Sequence, residues 1–104
     1  MKSVSILAFL VATQFAMSTV PASADARRGE LLARRWCVDC HVVAANQSRP
    51  TSEAPPFASI ANRSNFNAEN LAFFLLSPHP KMPNMSLTRS EAIDLALYIA
   101  SLKR

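Results

Sequence analysis

The sequence predicts an all-α fold in a single domain. Three segments place apolar residues at the three-and-four spacing of a helix, and capping residues or prolines mark where those segments start or stop. No segment shows the alternation of apolar and polar residues that is typical of a half-buried strand. With 104 residues, the chain is also too short for more than one ordinary domain.

The first helix is predicted at 26–38, where Leu32 and Trp36 lie four residues apart and arginines occupy much of the remaining surface. The chain's only glycine, Gly29, falls inside this helix, where glycine costs about 0.5 to 1 kcal/mol relative to alanine. A missing Cβ lets two helices cross closely, so we expect Gly29 to meet the last helix.

A loop is predicted over 44–56, where Asn, Gln, Ser, Thr and Pro replace the apolar residues of the first helix. The second helix is predicted at 68–76, with Asn67 as its cap and Pro78 ending it. The segment 77–85 then carries three prolines in nine residues, so it is expected to be extended and stiff.

The last helix is predicted to follow Thr88, which forms a capping box with Glu91. Its apolar residues cover a wide arc, so we expect burial on most sides. They are Ile93, Leu95, Ala96, Leu97, Tyr98, Ile99, Ala100 and Leu102. The crossing with Gly29 is expected near Leu95 and Tyr98.

The first 24 residues have the pattern of an export signal. Lys2 gives a basic start, an apolar run follows, and Ala22 and Ala24 occupy the small-residue positions of a signal-peptidase site. An uncleaved membrane anchor is the alternative, but polar residues interrupt the run before it reaches the roughly 20 apolar residues that a span requires. We therefore predict a signal peptide at 1–24 and a folded domain at 25–104.

The chain carries a formal net charge of +4. No basic run is longer than two residues, and an exported protein meets no genome, so nucleic acid is not an expected partner. The positive charge instead predicts an acidic protein partner.

Both cysteines and one of the two histidines fall within "CVDCH", as Cys37, Cys40 and His41. Two thiols at this spacing, followed directly by histidine, fit a haem: the thiols form thioethers to its vinyl groups and the imidazole binds iron. A dithiol redox catalyst expects a βαβ scaffold, and zinc needs a fourth ligand, for which only His79 or a carboxylate remains. A disulfide here would constrain little of the unfolded chain and would leave His41 unexplained.

A haem would also supply the core that a domain of about 80 residues lacks. The aromatic residues expected to pack against it are Trp36, Phe57, Phe66, Phe73 and Phe74. Three side chains in 77–85 are candidates for the second axial position, namely His79, Met82 and Met85. A thioether ligand raises the reduction potential, whereas a second imidazole lowers it.

With these features together, the chain resembles a class I c-type cytochrome over essentially all of 25–104. The matching features are a glycine in the first helix, the "CVDCH" segment, Pro55 in "APPF", a middle helix that ends in proline, and "KMP" before a capped last helix that contains Tyr98. The first helix departs from many relatives because Ala33 stands where a bulky aromatic residue is common.

The resemblance implies a cytochrome c-like bundle of three or more helices, wrapped around one covalently attached haem c. It implies that Cys37 and Cys40 hold the haem, with His41 as the proximal iron ligand and Met82 as the distal one. It also implies that the backbone carbonyl of Pro55 accepts a hydrogen bond from the second imidazole nitrogen.

With the iron closed on both faces, the resemblance implies a monomeric periplasmic one-electron carrier, not an enzyme, that has acidic redox proteins as partners and no membrane anchor once the signal is removed. Candidates to surround the haem edge are Arg27, Arg28, Arg34, Arg35, Lys81 and Arg89. Two alternatives stay open: a haem-based enzyme subunit or a gas- or peroxide-binding protein with a labile distal ligand, and a carrier devoted to one dehydrogenase.

Overall fold

The computed structural model describes residues 24–47, 54–77 and 81–104, and in these residues it contains helices and no strand. In chain order the helices are α1 (Ala26–Trp36), α2 (Phe57–Ala61), α3 (Ala68–Leu75) and α4 (Arg89–Ser101). Helix α4 packs against each of the other three, most extensively against α1. The all-α prediction is therefore confirmed.

The predicted signal peptide lies outside the described residues, apart from Ala24. Within the described ranges, none of the helices has the length and apolar character needed to cross a bilayer.

Helix α1 starts at the cap Asp25, whose side chain accepts a hydrogen bond from the backbone N–H of Arg27 at 2.8 Å. It ends two residues before the predicted boundary. The predicted apolar stripe is wrong in part, because Trp36 is 46% exposed and the buried residues are Gly29 and Ala33. Small residues face α4 because only they permit the close approach of the two helices.

The crossing of α1 and α4 occurs where the sequence predicts it. A Cβ added to Gly29 would lie 2.8 Å from the Cβ of Tyr98 and closer still to the backbone carbonyl group of Asp94. Two carbon atoms do not approach that closely without repulsion, so position 29 admits no side chain. Ala33, one turn further along α1, is fully buried in the core.

A buried carboxylate that the sequence analysis did not identify ties the start of α1 to α4. Asp94 is 3% exposed; it accepts a hydrogen bond from the backbone N–H of Asp25 at 2.7 Å and one from Arg28 Nε at 3.0 Å. Burial opposes ionisation, but these two hydrogen bonds outweigh it and lower the pKa of Asp94. The neighbouring Ile93 was predicted to be buried and is instead 43% exposed, because the buried arc includes Asp94 in its place.

The predicted caps are confirmed. The Asn67 side chain accepts a hydrogen bond from the backbone N–H of Asn70 at 2.9 Å, and α3 ends at Leu75, one residue earlier than expected. At α4, the backbone N–H of Glu91 donates to the Thr88 hydroxyl, and the Glu91 carboxylate accepts from the backbone N–H of Thr88 at 2.8 Å.

The short helix α2 was not predicted. It begins directly after Pro56, at the end of the predicted loop, and it has only five residues, too few to show a clear apolar period. The described parts of 44–56 contain no helix, as expected. In the segment 77–85, residues 78–80 lie outside the described residues, and the rest is neither helix nor strand.

We predict that Gly29→Val lowers the free energy of unfolding by about 3 kcal/mol or more, because the added carbon atoms would overlap backbone atoms of α4 and force the two helices apart. Urea unfolding measures the change. Leu31→Val is the matched control, since Leu31 lies in the same helix and is 69% exposed. An equal and small effect of the two substitutions would contradict the close crossing.

Candidate functional site around Cys37, Cys40 and His41

The "CVDCH" segment forms one tight turn at the end of α1. The backbone N–H of Cys37 donates to the carbonyl of Ala33 at 2.9 Å, which closes the helix. The carbonyl of Cys37 then accepts hydrogen bonds from the backbone N–H groups of Cys40 at 3.2 Å and of His41 at 2.9 Å. This is the hydrogen bonding of a helical turn, so the turn holds the two thiols and the imidazole close together.

The two thiols differ in environment. Cys37 is buried in the main core, Cys40 is exposed, and no disulfide joins them. Burial, and then the charge of the nearby Cys40, raise the pKa of Cys37 to about 11. At neutral pH the Cys37 thiol is therefore protonated and a poor nucleophile for disulfide exchange.

His41 is held in one orientation and one tautomer. Its Nδ1 atom lies 2.7 Å from the carbonyl oxygen of Pro55. Since a carbonyl only accepts hydrogen bonds, Nδ1 carries the proton, and the lone pair of the neutral ring resides on Nε2. The ring of Phe57 packs against the imidazole, with centroids 5.1 Å apart and planes inclined at 50°. The contact with Pro55 is the one that the family resemblance implied.

A glutamine that the sequence analysis passed over organises the backbone around His41. The Gln47 Nε2 atom donates to the carbonyl of His41 at 2.8 Å and to that of Val38 at 3.2 Å. Its Oε1 atom accepts from the backbone N–H of Val43 at 2.7 Å. One amide side chain thus satisfies three backbone groups of the segment. A glutamine in a polar loop has no sequence pattern that would identify this role.

Two further contacts fix the residues that follow His41. The Tyr98 hydroxyl, on α4, donates to the carbonyl of the fully buried Val43 at 2.6 Å. Burial, and next the charge of Glu30, raise the pKa of Tyr98, so the hydroxyl keeps its proton and remains a donor. The backbone N–H of Phe57 donates to the carbonyl of Val42 at 3.0 Å. The segment 41–43 is therefore held by α4, by α2 and by Gln47.

The donor set fits a covalently attached haem. Two thiols within one turn can form two thioethers, and a neutral imidazole whose Nδ1 is already committed presents Nε2 to a metal. In the part of the chain that the structure describes, no group of three or more His, Cys, Asp or Glu side chains is arranged to hold a metal ion. The four ligands of a structural zinc site are therefore not assembled among these residues.

The aromatic residues expected to pack against a haem divide into two groups. Phe57 is 4% exposed and belongs to the core, and Phe66 is half-buried against it. Three others keep large exposed fractions, namely Trp36 at 46%, Phe73 at 75% and Phe74 at 50%. The Arg35 guanidinium lies 5.0 Å from the centroid of the Trp36 ring. Only Phe57 among them contacts His41 as a ring pair in the described residues.

The candidate distal ligands lie on the segment that leads to α4. Met82 and Met85 are both half-buried, and Met82 stands between the exposed Lys81 and Pro83. His79 lies outside the described residues. Burial therefore does not separate the two methionines, and Met82 as distal ligand stays a prediction.

The six basic residues that were predicted to surround the haem edge differ in their contacts. Arg28 is bound to the buried Asp94, and Arg34 forms an ion pair with Glu30 at 2.9 Å, four residues apart on α1. Arg27 lies 3.9 Å from the Asp25 carboxylate. All six residues are exposed, and the other three are Arg35, Lys81 and Arg89.

We predict that Gln47→Leu lowers the free energy of unfolding by about 2 kcal/mol, because it leaves the buried N–H of Val43 and two carbonyls without their partner. Urea unfolding again measures the effect. Asn46→Leu is the control: it removes the exposed amide of the preceding residue and is expected to change the free energy by less than about 0.5 kcal/mol. Similar losses in both variants would rule out the role given to Gln47.

Comparison with known proteins identifies the family. No family model matches the chain, and no solved structure matches it. The chain is, however, 51% identical over 94 residues to a protein named cytochrome c-552 from Bradyrhizobium diazoefficiens, and the match covers 90% of each chain. With this identity over nearly the whole length, and with two cysteines and a histidine arranged for haem attachment, the chain belongs to the c-type cytochromes, which carry covalently bound haem c.

Proposed function

We propose that this cytochrome is an exported one-electron carrier of the class I kind, in which Cys37 and Cys40 bind the haem and His41 is the proximal iron ligand. The observation that carries the proposal is the 2.7 Å contact of His41 Nδ1 with the Pro55 carbonyl. This hydrogen bond occupies Nδ1 and leaves Nε2 as the atom that binds iron. The relative named cytochrome c-552 supports the same function.

When bound, the haem supplies an iron that takes up and releases one electron between Fe(III) and Fe(II). The chain's own residues keep the ligand geometry fixed during that change. Pro55 holds the imidazole, while Gln47 and Tyr98 hold the backbone immediately around it. A ligand that does not move between oxidation states keeps the reorganisation accompanying electron transfer small, which suits a carrier rather than a catalyst.

Met82 is the distal ligand that we propose. Its thioether is a soft, neutral ligand that favours Fe(II) and raises the reduction potential. Pro83 follows it directly and fixes one backbone angle, so the segment is stiff at that point. Closing the second face of the iron leaves no position for substrate, and we therefore propose a non-enzymatic role.

Export to the periplasm is proposed from the sequence. The basic start, the apolar run and the alanines at 22 and 24 favour cleavage between Ala24 and Asp25. The family resemblance supports the same location, because it combines an export signal with haem attachment to thiols. After cleavage we propose a monomer without a membrane anchor.

The partners proposed are redox proteins with an acidic docking surface. The basic residues that support this proposal are the exposed Arg27, Arg35, Lys81 and Arg89. Exposed charges of this kind raise the rate of encounter with an oppositely charged partner, and salt screens the effect.

We predict that oxidised protein shows the weak sulfur-to-iron absorption band near the red end of the visible spectrum, and that Met82→Ala abolishes it. The substitution removes the sulfur ligand, so the reduction potential should also fall. Met85→Ala is the matched control, and it should keep both the band and the potential. Survival of the band in Met82→Ala with its loss in Met85→Ala would contradict the assignment.

Carbon monoxide tests whether the protein is a carrier or a gas-binding protein. We expect no rapid binding to the reduced wild-type protein and rapid binding to Met82→Ala, because only the variant has an open position on the iron. Rapid binding to the wild type would favour the alternative with a labile distal ligand.

We predict that the rate of oxidation by hexacyanoferrate(III), an anion, falls as ionic strength rises. Stopped-flow spectrophotometry measures the rate. Arg35→Ala should lower it more than Lys103→Ala, an exposed control at the C-terminus that removes the same charge. Equal effects would show that net charge alone acts, and an absence of salt dependence would contradict electrostatic docking.

A further inference from the structure

We propose that removal of residues 1–24 creates a charged N-terminus that Asp94 is built to receive. In the processed protein, the α-ammonium group of Asp25 and the Asp94 carboxylate form a part-buried ion pair that holds the start of α1 against α4. The inference rests on the proposed cleavage between Ala24 and Asp25. It is independent of the proposed iron ligands.

The geometry is already in place before cleavage. The backbone nitrogen of Asp25 lies 2.7 Å from Asp94 Oδ1, and Arg28 Nε lies 3.0 Å from Asp94 Oδ2. Asp94 is 3% exposed, and its carbonyl group faces Gly29 at the helix crossing. The nitrogen that cleavage would turn into the N-terminus is thus already bound to the one buried carboxylate of the described residues.

The chemistry of cleavage changes the donor and leaves its position unchanged. Hydrolysis of the Ala24–Asp25 peptide bond by a signal peptidase consumes one water molecule, and Ala24 leaves with a new carboxylate. Asp25 keeps the nitrogen as an amino group, which binds a proton at neutral pH. A neutral amide with one N–H becomes an ammonium with three, and hydrogen bonds between charged groups are about twice as strong as neutral ones.

The surroundings have room for the new group. A cavity of about 220 Å³ lies beside Asp94, and its walls are formed by Ala24, Arg28, Ser90, Ile93 and Asp94 itself. Cleavage removes Ala24 from this wall and gives water access to the ammonium hydrogens that do not face Asp94. The carboxylate keeps Arg28 on its other oxygen, so each of its two oxygen atoms has a cationic donor.

The ion pair explains why α4 carries a carboxylate, Asp94, in its buried arc. A carboxylate in the buried arc of α4 loses its hydration, and partners of opposite charge must offset that loss. Before processing, only the Arg28 side chain supplies charge among the contacts given above. Only cleavage at the Ala24–Asp25 bond places a second positive charge within hydrogen-bond distance of the Asp94 carboxylate. Processing at this bond therefore stabilises the crossing of α1 and α4.

Two haem-loaded proteins test the proposal: one that begins at Asp25, and one that retains residues 22–24 and so keeps an amide at Asp25. Intact mass first establishes where the naturally processed chain begins. Urea unfolding then compares the two proteins. We expect the unfolding equilibrium constant of the protein that begins at Asp25 to be about tenfold smaller, the gain of a charged over a neutral hydrogen bond.

The same comparison is made with Asp94→Asn and with Glu69→Gln, a control that removes an exposed carboxylate from α3. The tenfold difference should fall below about twofold in Asp94→Asn and persist in Glu69→Gln. Equal stability of the two proteins with Asp94 present, or natural processing at another bond, would overturn the proposal.

A second measurement does not require the Asp94 variant to fold. Cyanate carbamylates free amino groups, and a paired ammonium reacts slowly because its lone pair is held by a proton. We expect the α-amino group of Asp25 to react at least about tenfold more slowly than that of the extended protein, as peptide mass spectrometry reports. Equal rates in the two folded proteins would overturn the proposal.

Discussion

The close crossing of α1 and α4 at Gly29 is the constraint on which the rest of the structure depends. Because position 29 has no side chain, the backbone of α1 approaches the carbonyl group of Asp94. At that distance the Asp94 carboxylate lies 2.7 Å from the backbone nitrogen of Asp25. On the next turn of α4, Tyr98 reaches Val43, just beyond the haem-binding segment. The close crossing at Gly29 thus fixes the positions of α4, the start of α1 and the haem site relative to one another.

The crossing matters for function because the "CVDCH" turn follows α1 without a linker. Helix α1 fixes the turn from one side, and Tyr98 and Gln47 fix the chain that leaves it. Pro55 then sets the orientation of the imidazole. Each contact is a hydrogen bond to a backbone group or from one, so the imidazole is oriented mainly by main-chain geometry.

Features set by local chemistry were predictable from the sequence, and those set by distant partners were not. The caps at Asn67 and Thr88 involve residues within three positions of each other, and the glycine in α1 has a direct steric meaning. Asp94 was missed because its partners lie 66 and 69 residues away. Gln47 acts on a loop that has no period. The apolar stripe of α1 was misjudged because, at a close crossing, small residues are buried and large ones are left at the edge.

The central claim is that Cys37 and Cys40 hold the haem covalently, beside an imidazole whose position the fold fixes. Peptide mass spectrometry after denaturation and trypsin digestion tests it most directly, because residues 36–63 form a single tryptic peptide that contains both cysteines and His41. We expect this peptide to carry the mass of one haem, and neither cysteine to react with an alkylating reagent. A peptide of unmodified mass in which both cysteines are alkylated would contradict the claim.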